Sequence, residues 1–246
     1  MKSSTTKGMV INLTCGAELI LFTQFYDKVS EIAKTVNALC TWLGTPPGFT
    51  ILFWTINAER KITADEWPTK TTVNGGWAVP SSKQIVVYRY EEWERVLIHE
   101  TIHALGWDWE MPSKPLPCWG FDDNDVVAPH LFEAWTELYA EWLYCGWFNI
   151  PWEQQRKWQT MQALQILARA KHTQNWKENT NVFAYYVLKA ALAPYIELLW
   201  VTGNGTNAEE RFKILCGLVT PNLTKLQAEA EHVMPKDISL RMTVKK

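Results

Sequence analysis

Residues 99–103 read His-Glu-Thr-Ile-His. Two histidines four positions apart lie one turn apart on a single helix face, so their rings can close on one metal ion. A spacing of two or five would turn the rings away from each other. Glu100 projects toward the same side, where a carboxylate can take a proton from metal-activated water. The surrounding stretch, VLIHETIHAL, is apolar. Both imidazoles are therefore predicted to be buried, and a buried ring nitrogen needs a partner that a shared cation supplies. With 5 histidines in 246 residues, chance gives this pentapeptide in on the order of one chain in a hundred. The plainer alternative, two ordinary helix histidines flanking a surface Glu, makes the spacing a coincidence.

A stripe of acids follows downstream. His130, Glu133, Glu137 and Glu141 fall at steps of three, four and four, which is one face of a helix. Leu131, Phe132, Trp135, Leu138, Trp142 and Leu143 surround that face. Alone, such a stripe reads as a solvated face. Beside the pentapeptide, an inward, metal-facing stripe is the preferred reading.

Over residues 70–140 or so, these features resemble the zincin superfamily of metallopeptidases. The resemblance implies Zn2+ held by His99 and His103, with a third protein ligand and a water in the fourth position. In the metzincin branch the motif continues as H-E-x-x-H-x-x-G-x-x-H. This chain follows it to Gly106, then places Trp109 where His or Asp belongs, with Asp108 one residue out of register. Tryptophan cannot ligate zinc. In the gluzincin branch the third ligand is a Glu on a later helix, followed four residues on by an acid that orients a zinc histidine. Glu-Ala-Trp-Thr-Glu at 133–137 is similar to that pattern. It implies Glu133 as the ligand and Glu137 as the acid behind His99, fixing its tautomer. The family usually has Asp where Glu137 stands, and Glu137 as ligand with Glu133 in support is the alternative assignment.

The resemblance further implies an edge strand that adds the substrate backbone to the sheet. Asn74, Gly75, Gly76 and Trp77 resemble that edge in thermolysin-like enzymes, with glycines allowing close approach. Asn-Gly is equally an ordinary turn signal. A donor for the developing oxyanion is implied as well. Tyr185 and Tyr186 are the candidates, with His130 and His172 as further donors. Trp107, Trp109 and Trp135 lie near the motif, either as an apolar subsite or as packing.

The elements that must position these residues are legible in part. Phe22–Leu43 has helical spacing and stops at Gly44 and Pro46-Pro47. Thr50–Ile56 reads as a buried strand, and Thr71–Val79 and Gln84–Tyr88 as two more around a turn at 80–83. Helices are predicted over Glu91–Leu105, Pro129–Gly146, Pro151–Lys171, Asn181–Trp200 with a break near Pro194, and Leu223–Val233. The expected fold is α+β and zincin-like. A small sheet and an active-site helix occupy 1–107, a mainly helical part occupies 108–246, and both belong to a single domain.

Composition bounds the function. Lys plus Arg is 24 against 26 for Asp plus Glu, a formal net charge of −2, which disfavours a nucleic-acid partner. No run of 18 apolar residues occurs, so no membrane span is expected. Five scattered cysteines without a C-x-x-C pair do not suggest a disulfide framework, and the first residues do not read as a secretory signal. An intracellular, reduced protein is expected. The expected activity is zinc-dependent hydrolysis of a peptide or protein substrate, with Glu100 as general base. An inactive zincin-scaffold binding protein and a zinc amidohydrolase acting on another amide are the alternatives.

Overall fold

The computed structural model describes residues 7–79, 82–108, 124–170, 181–202 and 207–244, with the side chains of 7, 124–130 and 200–202 set aside. In chain order the elements are β1 (Lys7–Asn12), β2 (Glu18–Thr23), α1 (Val29–Trp42), β3 (Thr50–Trp54), β4 (Lys61–Ile62), α2 (Lys70–Val73), β5 (Gly76–Val79), β6 (Gln84–Val87) and α3 (Trp93–Leu105). Then follow α4 (Asn124–Phe148), α5 (Trp152–Ala170), a π-helical stretch (Phe183–Leu188), α6 (Lys189–Leu192), α7 (Ile196–Thr202), α8 (Ala208–Ala230) and β7 (Ile238–Ser239). The architecture is mixed α and β. Two units are distinguished: Met1–Glu59 with Gly75–Trp107, and Arg60–Asn74 with Asp108–Lys246.

The first unit is built on a five-stranded sheet in the order β1-β2-β3-β6-β5. The β2-β3 and β3-β6 pairs are parallel, while β1 and β5 run antiparallel at the two edges. The strand registers align Leu19, Ile51 and Ile85 in one row and Leu21, Phe53 and Val87 in the next. All six are buried, so period-two alternation puts one apolar face inward. α3 packs on β5 and β6, and Trp93 at its start meets Phe53 with ring centroids 5.2 Å apart.

α3 ends for a visible reason. Gly106 adopts φ 65° and donates to the His103 carbonyl, and Trp107 donates to the Ile102 carbonyl at 3.0 Å. This closure satisfies two orphan carbonyls and halts the helix just past the second histidine.

The second unit is helical. Its core includes Leu131, Leu138, Ile166, Phe183, Val187, Phe212 and Leu215. α5 packs against the π-helical stretch and α8, and α4 packs against the π-helical stretch and α6. The C-terminal segment threads along α5, whose polar side chains hold it by its backbone. Gln155 donates to the Met242 carbonyl (2.7 Å), Trp158 to Arg241 (2.9 Å) and Gln162 to Ser239 (3.0 Å). These three bonds read peptide groups, while the Leu240, Met242 and Thr243 side chains of the segment are buried.

Several expectations need correction. The end of β2 and a short 3-10 turn at Tyr26–Lys28 take the place of the first turns of the predicted 22–43 helix, which begins only at Val29. Thr71–Val79 is not one strand: α2 ends at Val73, and β5 begins at Gly76. The last long helix starts at Ala208, well before Leu223. Cys216 is disulfide-bonded, which corrects the reading of a chain with only free thiols. Cys15, Cys40 and Cys145 are free, and Cys118 lies outside the described residues. Among the described residues, no helix is long and apolar enough to cross a membrane.

Candidate metal centre

α3 brings His99, Glu100 and His103 together. One ligand atom from each lies within 4.8 Å of the others. His99 is 5% exposed and Glu100 6%, while His103 is half-buried, so the group is largely enclosed and does not lie on a fully solvated helix face. The two Nε2 atoms face each other at 3.0 Å, with the rings edge-on at 75°. Two imidazole nitrogens bound to one tetrahedral zinc at about 2.05 Å would stand about 3.3 Å apart. The rings are thus turned onto one point at nearly the spacing a shared ion requires. Residues and geometry fit a divalent metal of the zinc type, which favours neutral imidazole nitrogen.

The neighbouring strand is shaped to this helix. A Cβ on Gly76 would lie 2.5 Å from the Val86 carbonyl oxygen, 2.7 Å from Val96 Cγ1 and 3.1 Å from Glu100 Cγ. Only hydrogen fits there, so β5 crosses in contact with the Glu100 side chain. β5 is also an edge strand, with β6 on one side. Of the residues singled out as a substrate edge, Gly76 and Trp77 lie in β5, Gly75 immediately precedes it, and Asn74 follows α2 as its C-cap. Trp77 is 47% exposed. Its register partner Val86 points to the same sheet face, away from the Gly76 face that meets α3.

In the second unit the acid stripe is met by donors from the π-helical stretch and α6. Tyr185 Oη donates to Glu133 Oε2 at 3.3 Å, both side chains part-buried. Glu137, 1% exposed, lies 4.0 Å from Lys189 Nζ. Glu141 is wholly buried and accepts from Lys189 Nζ, from Gln155 (2.8 Å) and from Gln159 (2.5 Å). Burial pushes the Glu141 carboxyl up to about 8, with Lys189 pulling the other way. Glu137 and Glu141 therefore share a buried cation, whereas Glu133 faces a neutral hydroxyl and is the least enclosed of the three. A π-helical turn is rare and recurs at functional sites. Here it carries Tyr185 and leads directly to Lys189.

Tyr186 is fully buried and donates to the Leu240 carbonyl at 2.8 Å, so its hydroxyl is committed to the C-terminal segment. Trp135 is buried and stacks on Tyr139 at 5.8 Å, while Trp107 is exposed. Trp109 and His172 lie outside the described residues, as does the side chain of His130. Sequence reasoning missed Lys189, Gln155 and Gln159. The two glutamines were legible as amides four apart in α5, a spacing that puts them on one face. Lys189, inside the apolar run YYVLKAALA, carried no local sign that it was buried.

Neither a family model nor a curated protein matches the chain.

Proposed function

We propose that this protein is a zinc-dependent hydrolase of peptide bonds, built on a zincin-like arrangement. The observation that carries the reading is the convergence of His99 Nε2 and His103 Nε2 at 3.0 Å beside the buried Glu100. A histidine pair with a purely structural metal has no use for that adjacent carboxylate.

In this reading His99 and His103 hold zinc, and Glu133 is the third ligand taken from the sequence pattern. Zinc held there would supply a Lewis acid for the scissile carbonyl and would acidify a bound water. Glu100 accepts the proton of that water and returns it to the leaving amine, acting as base and then as acid. β5 offers an edge on which an extended substrate can add its backbone. Tyr185, already a donor to Glu133, is the candidate to steady that carboxylate and to donate to the developing oxyanion. Glu137, enclosed with Lys189, keeps the part the sequence pattern implies, the acid behind His99 that fixes its tautomer. A peptide or protein is the substrate, with no nucleic acid and no membrane as partner. An intracellular site remains the proposal from the sequence, although the Cys216 disulfide weighs against a reducing compartment.

Glu133→Ala and Glu137→Ala separate the two ligand assignments. Glu133→Ala should weaken zinc binding at least tenfold, by competition with a chromophoric chelator, while Glu137→Ala retains most of the affinity and loses stability. Zinc loss confined to Glu137→Ala reverses the assignment. Mass-spectrometric identification of products from a mixed peptide library tests the reaction itself, and new amino termini are the expected signature.

A further inference from the structure

A second site of reactivity lies in the first unit, on the side of the sheet where β1 turns into β2. That turn is tight: Leu13 N–H donates to Ala17 O at 2.9 Å and Gly16 N–H to Leu13 O at 3.0 Å. Cys15, half-buried, sits at its tip. The turn is moored to α1 through Asn37, whose Oδ1 accepts from Cys15 N–H (3.1 Å) and from Thr14 Oγ1 (3.0 Å). It is moored again through Gly48 N–H to Gly16 O at 3.0 Å. Asn37 and Cys40 are three residues apart in α1 and so share a helix face. Cys40 has no exposed surface, and its backbone is fixed where the helix closes, with Thr45 N–H on the Cys40 carbonyl at 2.9 Å and Gly44 at φ 65°. The side chains of Cys15 and Thr45 both act on the titration of the Cys40 thiol, although burial outweighs them.

We propose that Cys15 and Cys40 form a redox pair that closes to a disulfide when the protein meets hydrogen peroxide. The turn that carries Cys15 is hydrogen-bonded to Asn37, one helical turn from Cys40 on the same face, so the two cysteines stand on neighbouring segments that are anchored independently of their thiols. Cys15 reacts first because it reaches solvent. Its thiolate attacks one peroxide oxygen, the O–O bond breaks with loss of hydroxide, and the sulfur becomes a sulfenic acid. The Cys40 sulfur then attacks the Cys15 sulfur. The S–S bond forms, the S–OH bond breaks, and the departing hydroxide takes the Cys40 proton as water. Two electrons pass from the sulfurs to the peroxide, which ends as two waters. Burial pushes the Cys40 thiol up to about 12, which suits the resolving and not the initiating role. The pair stands apart from His99, Glu100 and His103, and the inference does not depend on the zinc reading.

The test uses the full chain carrying Cys145→Ser, treated with hydrogen peroxide and then unfolded and alkylated. The expected product is lighter by two hydrogens, takes up no alkylating agent at Cys15 or Cys40, and yields one linked peptide containing both. Its melting temperature rises by several degrees, because the cross-link restricts the unfolded chain. Adding Cys15→Ser, a change at a half-exposed turn position, should abolish both the linked peptide and the rise. Recovery of Cys15 as sulfinic acid with Cys40 still alkylatable, or linkage of Cys15 to any other cysteine, overturns the proposal.

Discussion

Glu100→Gln is expected to keep its zinc and to lose peptide hydrolysis by about 10²–10⁴-fold, the usual contribution of a positioned general base. The amide matches the carboxylate in shape, so it fits beneath β5, where Glu100 Cγ faces the position of the absent Gly76 side chain. It has no basic oxygen to accept a proton from water. His99 and His103 are untouched, so metal content should stay at the wild-type level. The pairing of these two outcomes matters. Loss of turnover with loss of zinc would signal a misfolded α3, and turnover retained at the wild-type rate would remove Glu100 as the base. Metal analysis and initial rates on the same preparation decide between them.

Lys189→Met is expected to be the most damaging substitution for stability. Lys189 is fully buried beside Glu137 and Glu141. Removing it leaves two buried carboxyls without their cation, which costs about 3–5 kcal/mol. For a chain of this size that lowers the melting temperature by on the order of 10 °C. The loss should depend on pH with a defined sign. Burial raises the folded-state value of Glu141 to about 8 from an ordinary value near 4.5. Stability linked to this proton is fully present below the unfolded value and disappears as pH rises through the folded one. The variant should therefore suffer least near pH 4.5 and most above pH 8, as measured by thermal unfolding across that range. Replacing Glu141 by Leu in the same chain should recover much of the loss, since a well-packed apolar pair avoids the desolvation penalty. Equal damage at every pH would show that Lys189 acts by packing alone.

The parts of the fold that could be read in advance were those with local causes. TILFW and QIVV are short β-rich runs, and both are central strands of the sheet. The pentapeptide helix ends at Gly106 because that residue supplies the left-handed closure. β2 was hidden because its residues ELILFT are apolar on both faces, so Phe22 could be taken as the first residue of a helical pattern. The first half of α8 was hidden by Pro221, which ordinarily ends a helix. Here the helix continues through it, with Phe212, Leu215, Val219, Leu223 and Leu226 all buried and Asn222 Nδ2 donating to the Ala191 carbonyl at 3.0 Å. Tertiary packing outweighed the local penalty.

The candidate site divides in the same way. His99, Glu100 and His103 announce themselves because five adjacent residues on one helix determine their mutual geometry. Gly76 was singled out for allowing a ligand backbone to approach, and the structure gives it a different neighbour, the Glu100 side chain. The acids of α4 were visible as a stripe, but their partners come from residues about fifty positions away, and no periodicity predicts which acid meets a lysine and which a tyrosine. Glu141 with Lys189 and Glu133 with Tyr185 are consequences of helix packing.

Zinc bound per chain tests the central claim most directly. Protein purified without chelator, or stripped and then titrated, should take up about one zinc per chain, while His99→Ala and His103→Ala, with unchanged secondary structure, should each take up almost none. A folded wild-type chain that binds no zinc at micromolar concentrations, or alanine variants that bind it as well as the wild type, would contradict the account.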